Sequence, residues 1–151
     1  MIKETEVFKV RKQLTRDDDK KHFYFPFTLE QDSSELIIKF KYFPKYYENK
    51  ENSINLLCAE FKRAGVYLSR EDAEKKLPIG NLLTVSLDGP LGHIGNAHNQ
   101  KNDISYVVNE NNSSYGFNNQ KVSKGEYIVA VSTHCVVTDT VEFEIIVEVK
   151  D

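Results

Sequence analysis

The sequence predicts a mainly β protein, an antiparallel β-sandwich of jelly-roll-like form with a short helical insertion. Three observations carry this. Val141 to Lys150 alternates with odd positions apolar and even positions charged except Ile146, which is the period of a strand with one face on a core and one in water. Leu36 to Tyr42 repeats the pattern, and Tyr127 to His134 follows it more loosely. Several short strand-like runs are separated by turn residues, with no βαβ alternation.

The elements follow in order. Val7 to Leu14 reads as a mixed first strand, interrupted by Lys12, and Arg16 to Lys21 as a charged turn. Phe23, Phe25, Phe27 and Leu29 share one face of the next run. Pro26 within it lacks a backbone donor, which predicts an edge strand or a bulge. After a turn at Gln31 to Ser34, a strand covers Leu36 to Phe43 and Pro44 ends it. The block at about 46–80 changes character. Ile54, Leu57, Cys58 and Phe61 fall at helical spacing, with Asn52 or Ser53 as candidate caps and Gly65 as a stop. Their apolar face is expected to pack on the sheet. Ser69 caps a second short helix with acids in its first turn, and Leu77 to Gly80 closes it.

Strand signals resume at Leu83, Val85 and Leu87, and Asp88-Gly89-Pro90 reads as a turn. Leu91 to Asp103 is expected to be a long polar loop, Ile104 to Val108 a short strand, and Asn109 to Val122 a second polar stretch. Ser123 to Glu126 turns into the strand Tyr127 to Cys135, and Thr138 to Thr140 turns into the last. No internal repeat or composition break appears, so residues 1–151 form one domain, of a size that can bury a core without staples.

Composition narrows the function classes. A net charge of -3, with lysines spread among acids, disfavours nucleic-acid binding. No apolar run reaches membrane-spanning length. Met1 to Glu6 has no apolar core of a secretory leader, so the chain is expected to be soluble and cytoplasmic, or a mature fragment of an exported protein. Cys58 and Cys135 each lie in an apolar run and read as buried small hydrophobes; one long-range disulfide between them stays open.

Three stretches together carry a family resemblance. They are Phe25-Pro26-Phe27 with Leu36 to Lys45; Asn81 to Gly92; and Tyr115-Gly116-Phe117 with Lys124 to Val131 and Val141 to Val149. The chain resembles the N-terminal β-sandwich that precedes the catalytic domain in some bacterial phosphoesterases of the polymerase-and-histidinol-phosphatase superfamily. More loosely, it is similar to the pre-peptidase C-terminal type of β-sandwich. The resemblance covers most of the chain outside Tyr46 to Gly80. It implies an accessory module with no catalytic residues to carry over, and no His-x-His pair of a metal-binding catalytic domain is present.

Two sets of residues are candidates for function. His93 and His98, flanked by Asp88 and Asp103, offer imidazole and carboxylate for a divalent metal, although their spacing matches no standard zinc pattern. Tyr46, Tyr47, Tyr115 and Phe117 offer aromatic faces at strand ends or in loops, suited to stacking on a sugar or a peptide; the alternative is that they cap the core. His134 and Cys135 are adjacent on a strand and point to opposite faces, which prevents direct pairing. Ser123 and Ser132 lack a nucleophile-elbow context.

The sequence therefore reads as a non-catalytic binding or interaction module for a carbohydrate or a protein partner, with no cofactor. Its rivals are a metal-dependent hydrolase built on His93 and His98, and an oligomeric structural protein that pairs strand edges.

Overall fold

A computed structural model describes residues 3–151. The described residues form eight strands and two α-helices. These are β1 (Glu4–Thr15), β2 (His22–Leu29), β3 (Glu35–Phe43), α1 (Lys50–Arg63), α2 (Arg70–Glu74), β4 (Leu82–Gly89), β5 (Gly92–Ala97), β6 (Asp103–Val108), β7 (Gly125–Cys135) and β8 (Thr140–Lys150). Sheet A has the order β1-β8-β3-β6 and sheet B the order β2-β7-β4-β5, all antiparallel. The pairs nest: first with eighth, second with seventh, third with sixth, fourth with fifth. The mainly β, antiparallel sandwich is the expected class, and β2 is an edge strand, as Pro26 requires.

Alternation builds the core. Val141, Phe143, Ile145, Val147 and Val149 of β8 all point inward. They meet Leu36, Ile38, Phe40 and Tyr42 of β3 on one side and the inner faces of β2, β4 and β7 opposite. Phe143 packs edge-on against Phe25 with centroids 5.9 Å apart, and Phe27 lies 5.5 Å from Tyr127. Because β8 lies between β1 and β3, its outward acids are flanked on both sides. Glu144 forms ion pairs with Arg11 and Lys41, each at 3.6 Å, and Glu148 pairs with Lys39 at 3.0 Å.

The expected loop at Leu91 to Asp103 is a correction. The turn is confined to Pro90 and Leu91, and β5 follows at once. Its Gly and Asn content hides a strand, since few side chains there carry the apolar half of the alternation. The glycine has a use. A Cβ on Gly95 would collide with the Gly116 carbonyl and the Phe117 backbone. The loop at 109–122 is thereby laid along β5, where Asn96 N–H donates to the Gly116 carbonyl at 3.1 Å and Asn118 N–H to that of Ile94 at 2.8 Å. The same loop meets β6, with Ser114 N–H donating to the Val107 carbonyl at 2.8 Å. One side of the sandwich is closed by this segment.

The insertion is helical, with two differences. The cap of α1 is Asn49, not Asn52 or Ser53; the Asn49 side chain accepts from the Asn52 N–H at 3.0 Å. Ser53 lies inside the helix and donates back to the Asn49 carbonyl at 2.7 Å. The apolar face of α1 packs chiefly on α2 and not flat on a sheet. Ile54 is buried, whereas Leu57, Cys58 and Phe61 are half-buried. Lys76 lies over the Phe61 ring, and the Cys58 thiol donates to the Leu68 carbonyl at 3.5 Å. Five residues of α2 are too short to cover the stripe fully. Gly65, at φ 81°, and Ser69 act as the stop and the cap that were expected.

The insertion leaves and returns through a narrow stem. Tyr46 bridges Gly80, Tyr47 N–H donates to the Ile79 carbonyl at 3.0 Å, and Asn81 N–H to that of Lys45 at 2.8 Å. Asn81 is 0% exposed. Its amide nitrogen donates to the Pro44 carbonyl at 2.9 Å and to the Thr138 hydroxyl at 2.8 Å, while its amide oxygen accepts from Val137 N–H at 2.8 Å.

Phe143→Ala should cost about 3–5 kcal/mol, as for other buried aromatic truncations, measured by urea unfolding. Asn81→Leu should cost about 1–3 kcal/mol for each buried group it strands. A stability equal to wild type in that variant would show that water replaces the amide.

Candidate functional site

The chain around the stem forms an open cleft beside an exposed aromatic. Pro44 ends β3, and Lys45 folds back so that its Nζ donates to the Asn81 carbonyl at 2.8 Å and to the Tyr42 hydroxyl at 3.1 Å. Tyr46 and Tyr47 then face the first turn of α1 and the Leu77-Pro78 segment. Together with Lys50, Ser53 and Glu74 these residues line an open cleft of about 610 Å³. Tyr46 is 52% exposed and lines the cleft.

Tyr47 is fixed. Its hydroxyl accepts from the Asn52 amide at 2.9 Å, and the Arg16 guanidinium lies 5.4 Å from its ring centre. Arg16 is itself anchored, donating twice to the Val137 carbonyl at 3.0 and 2.8 Å. Val137 N–H is held by Asn81. The aromatic wall is thus tied to the β7–β8 turn through two residues. The rim carries charges of both signs. Lys50 lies 3.9 Å from Glu74, and Arg70 pairs with Glu51, whose carboxyl that hydrogen bond holds below its ordinary value.

The four predicted aromatics do not form one site. Tyr46 and Tyr47 stand together, while Tyr115 is fully exposed on the loop beside β5. Phe117 is a correction. It is 7% exposed and packs 5.3 Å from Tyr106, because the bridge from Phe117 to Gly95 draws it between the sheets. It offers no face to a ligand and belongs to the core-capping alternative.

The predicted metal set is also divided. His93 Nδ1 lies 2.7 Å from Asp88 Oδ1, across the β4–β5 turn. His98 lies beyond the other end of β5, five residues away or about 16 Å along an extended chain. Its ring lies 6.4 Å from that of His134. Asp103 opens β6 in the other sheet, opposite Lys41. Among the described residues, no group of three or more His, Cys, Asp or Glu side chains is placed to hold a metal ion.

Sequence reasoning did not place the histidines on a common face. The chain has four histidines. His22, His134 and His93 all lie on the outer face of sheet B, and His98 lies at the edge of that face. His22 Nδ1 is 2.7 Å from the Ser132 hydroxyl, and His134 Nε2 is 2.8 Å from that of Thr84. The signal was present in the phase: His22 and His134 occupy the positions that alternate with inward Phe23 and Thr133. His134 faces outward to Thr84, so it makes no pair with half-buried Cys135, as the strand geometry requires.

No family model matches the chain, and no curated protein matches it. Among solved structures, it is similar to a crystal structure of a protein from Sulfurospirillum deleyianum, at 12% identity over 91% of this chain and 96% of that one, with a TM-score of 0.34. It is also similar to the Penaeus vannamei nodavirus P-domain, at 11% identity over 94% and 97% of the two chains, with a TM-score of 0.32. Likenesses at these scores carry no weight for function. No helix of the described residues is long and apolar enough to cross a membrane.

Burial pushes the Cys135 thiol above its ordinary range, with the Asp19 carboxylate adding to the effect. Cys135 should therefore resist alkylation by iodoacetamide at neutral pH in the folded protein and react after unfolding. Peptide mass spectrometry checks this; rapid labelling of the native protein at Cys135 would contradict it.

Proposed function

We propose that this chain is a non-catalytic, cytoplasmic binding module of the jelly-roll class. It is of the accessory kind that precedes the catalytic domain in bacterial polymerase-and-histidinol-phosphatase phosphoesterases, and it takes a carbohydrate in the cleft at the root of the helical insertion. The observation that carries the reading is the half-exposed ring of Tyr46 in a cleft of about 610 Å³, next to a Tyr47 already locked by Arg16 and Asn52. Ligand clefts are of this size, with apolar walls and a few polar groups that fix orientation. A sugar ring needs both a flat apolar surface and donors and acceptors around it. Tyr46 and Pro78 supply the first, and Lys50, Ser53 and Glu74 the second. A wall ordered before binding loses little freedom when the ligand arrives. The nested order of two four-stranded antiparallel sheets supports the class, since eight-stranded double-sheet jelly rolls recur in lectin domains. Two free thiols suit a reducing compartment. The hydrolase reading needs a metal shared by His93 and His98, and the length of β5 separates them.

Calorimetric titration with a panel of soluble oligosaccharides should identify at least one binder. Tyr46→Ala should then weaken it roughly tenfold or more, a loss of about 1.4 kcal/mol. Tyr115→Ala should leave it unchanged. Binding insensitive to Tyr46→Ala would move the site elsewhere, and hydrolysis of a phosphoester by the chain would end the non-catalytic reading.

A further inference from the structure

The two sides of the sandwich are finished differently. On one side the loop at 109–122 lies on both edge strands, β5 and β6. On the other, β2 is short and carries Pro26, but β1 runs for twelve residues, and among the described residues no strand pairs its free edge. Such an edge is a template for another strand. Val7, Phe8 and Val10 on it are only half-buried.

The charges of β1 are sorted along its length. Glu4 and Glu6 occupy the first half, and Lys9, Arg11 and Lys12 the second. A bulge at Val7, between Glu6 and Phe8, shifts the phase. Glu4, Glu6, Lys9 and Arg11 are paired with Lys150, Glu148, Ile146 and Glu144, all on the outward face of β8, so all four point to the outside of sheet A. A second copy of β1 must keep outward residues opposite outward residues. Of the antiparallel registers that cross the bulge, one does so at every position. It sets Glu4 against Arg11, Thr5 against Val10, Glu6 against Lys9 and Val7 against Phe8, and a two-fold axis repeats each pair. From Glu4 to Arg11 every charged pair in it is of opposite sign, and the bulges of the two strands coincide at the axis; at each end, Lys3 just outside the strand falls opposite Lys12.

A further observation fits the same register. Within one chain Glu6 lies opposite Glu148, a like-charge pair, and one carboxylate oxygen of Glu148 is buried with no hydrogen-bond partner. Lys9 of a second copy would bring a cation beside this pair.

We propose that β1 is the interface of a symmetric dimer of this chain, in which two β1 strands pair antiparallel about the Val7–Phe8 position and join two copies of sheet A. The partner is a second copy because the charge order from Glu4 to Arg11 is complementary to its own reverse. The interface lies on the strand edge and leaves the Tyr46 cleft free, so it stands or falls apart from carbohydrate binding.

Sedimentation of the 151-residue chain over a wide concentration range should show a species of twice the 17.4 kDa chain mass, weakened by salt. Glu6→Lys and Lys9→Glu, each alone, should raise the dissociation constant roughly tenfold or more, since each places like charges across the axis twice. At a concentration where both proteins are monomeric, Glu6→Lys should leave thermal stability equal or higher, because it relieves the repulsion with Glu148. An equal mixture of the two variants should restore the dimer. A monomer at all concentrations would overturn the proposal and assign the bulge and lysines to guarding the edge. A dimer unaffected by both variants, or a mixture that stays monomeric, would overturn it equally.

Discussion

The buried amide of Asn81 joins three parts of the chain that are far apart in sequence. Its backbone takes up Lys45 on both sides, with N–H donated to the Lys45 carbonyl and its own carbonyl accepting from the Lys45 ammonium. Its side chain closes the end of β3 at Pro44 and the β7–β8 turn at Val137 and Thr138. An amide out of water needs all of its partners, and here each is supplied. The exit from β3, the entry to β4 and the crossing from sheet B to sheet A are therefore fixed relative to one another at a single point. The cleft depends on the same point. Arg16 clamps the Tyr47 ring only because Val137, which it grips, is held in place by Asn81.

The outer faces of the two sheets have different chemistry for the same underlying reason. A central strand has neighbours on both sides, so its outward residues cannot be fully solvated and must be paired. In sheet A the answer is a row of acids on β8 between cations of β1 and β3. In sheet B the hydroxyls of Thr84 and Ser132 are hydrogen-bonded to imidazoles. Sheet A thus carries rows of ion pairs that can complement another charged surface, and sheet B carries hydroxyl–imidazole hydrogen bonds.

How much of this was legible follows from where the information lies. The β class, the inward face of β8 and the edge position of β2 were readable because period-two alternation and a single Pro state them locally. Strand β5 was not, because Gly95 and Asn96 serve a neighbouring loop and so interrupt the apolar alternation. The fate of Phe117 depended on that hidden strand: without β5 there is nothing to draw it inward. The α1 stripe was correctly seen, but its partner was not, since periodicity shows that a face is buried and not what buries it. Of the cleft, Tyr46 and Tyr47 were singled out from their type and place. Asn81 and Arg16, which make the cleft rigid, were missed because buried polar networks are assembled across sequence distances that no local pattern records.

The nested strand order bears on how the molecule is made. β8 is the final strand of the sandwich and also lies in the middle of sheet A, between β1 and β3. On a ribosome, β1 emerges first and has no neighbour in its own sheet until the whole of the intervening chain has been synthesised. Sheet B meets the same delay, because β2 waits for β7. The early partners on offer are the β4–β5 hairpin and the pairing of β3 with β6. Contacts this distant in sequence slow folding and leave apolar strands exposed meanwhile. The charges along β1 and the proline in β2 thus fall on the two strands that remain unpaired longest during synthesis, where solubility before folding matters most.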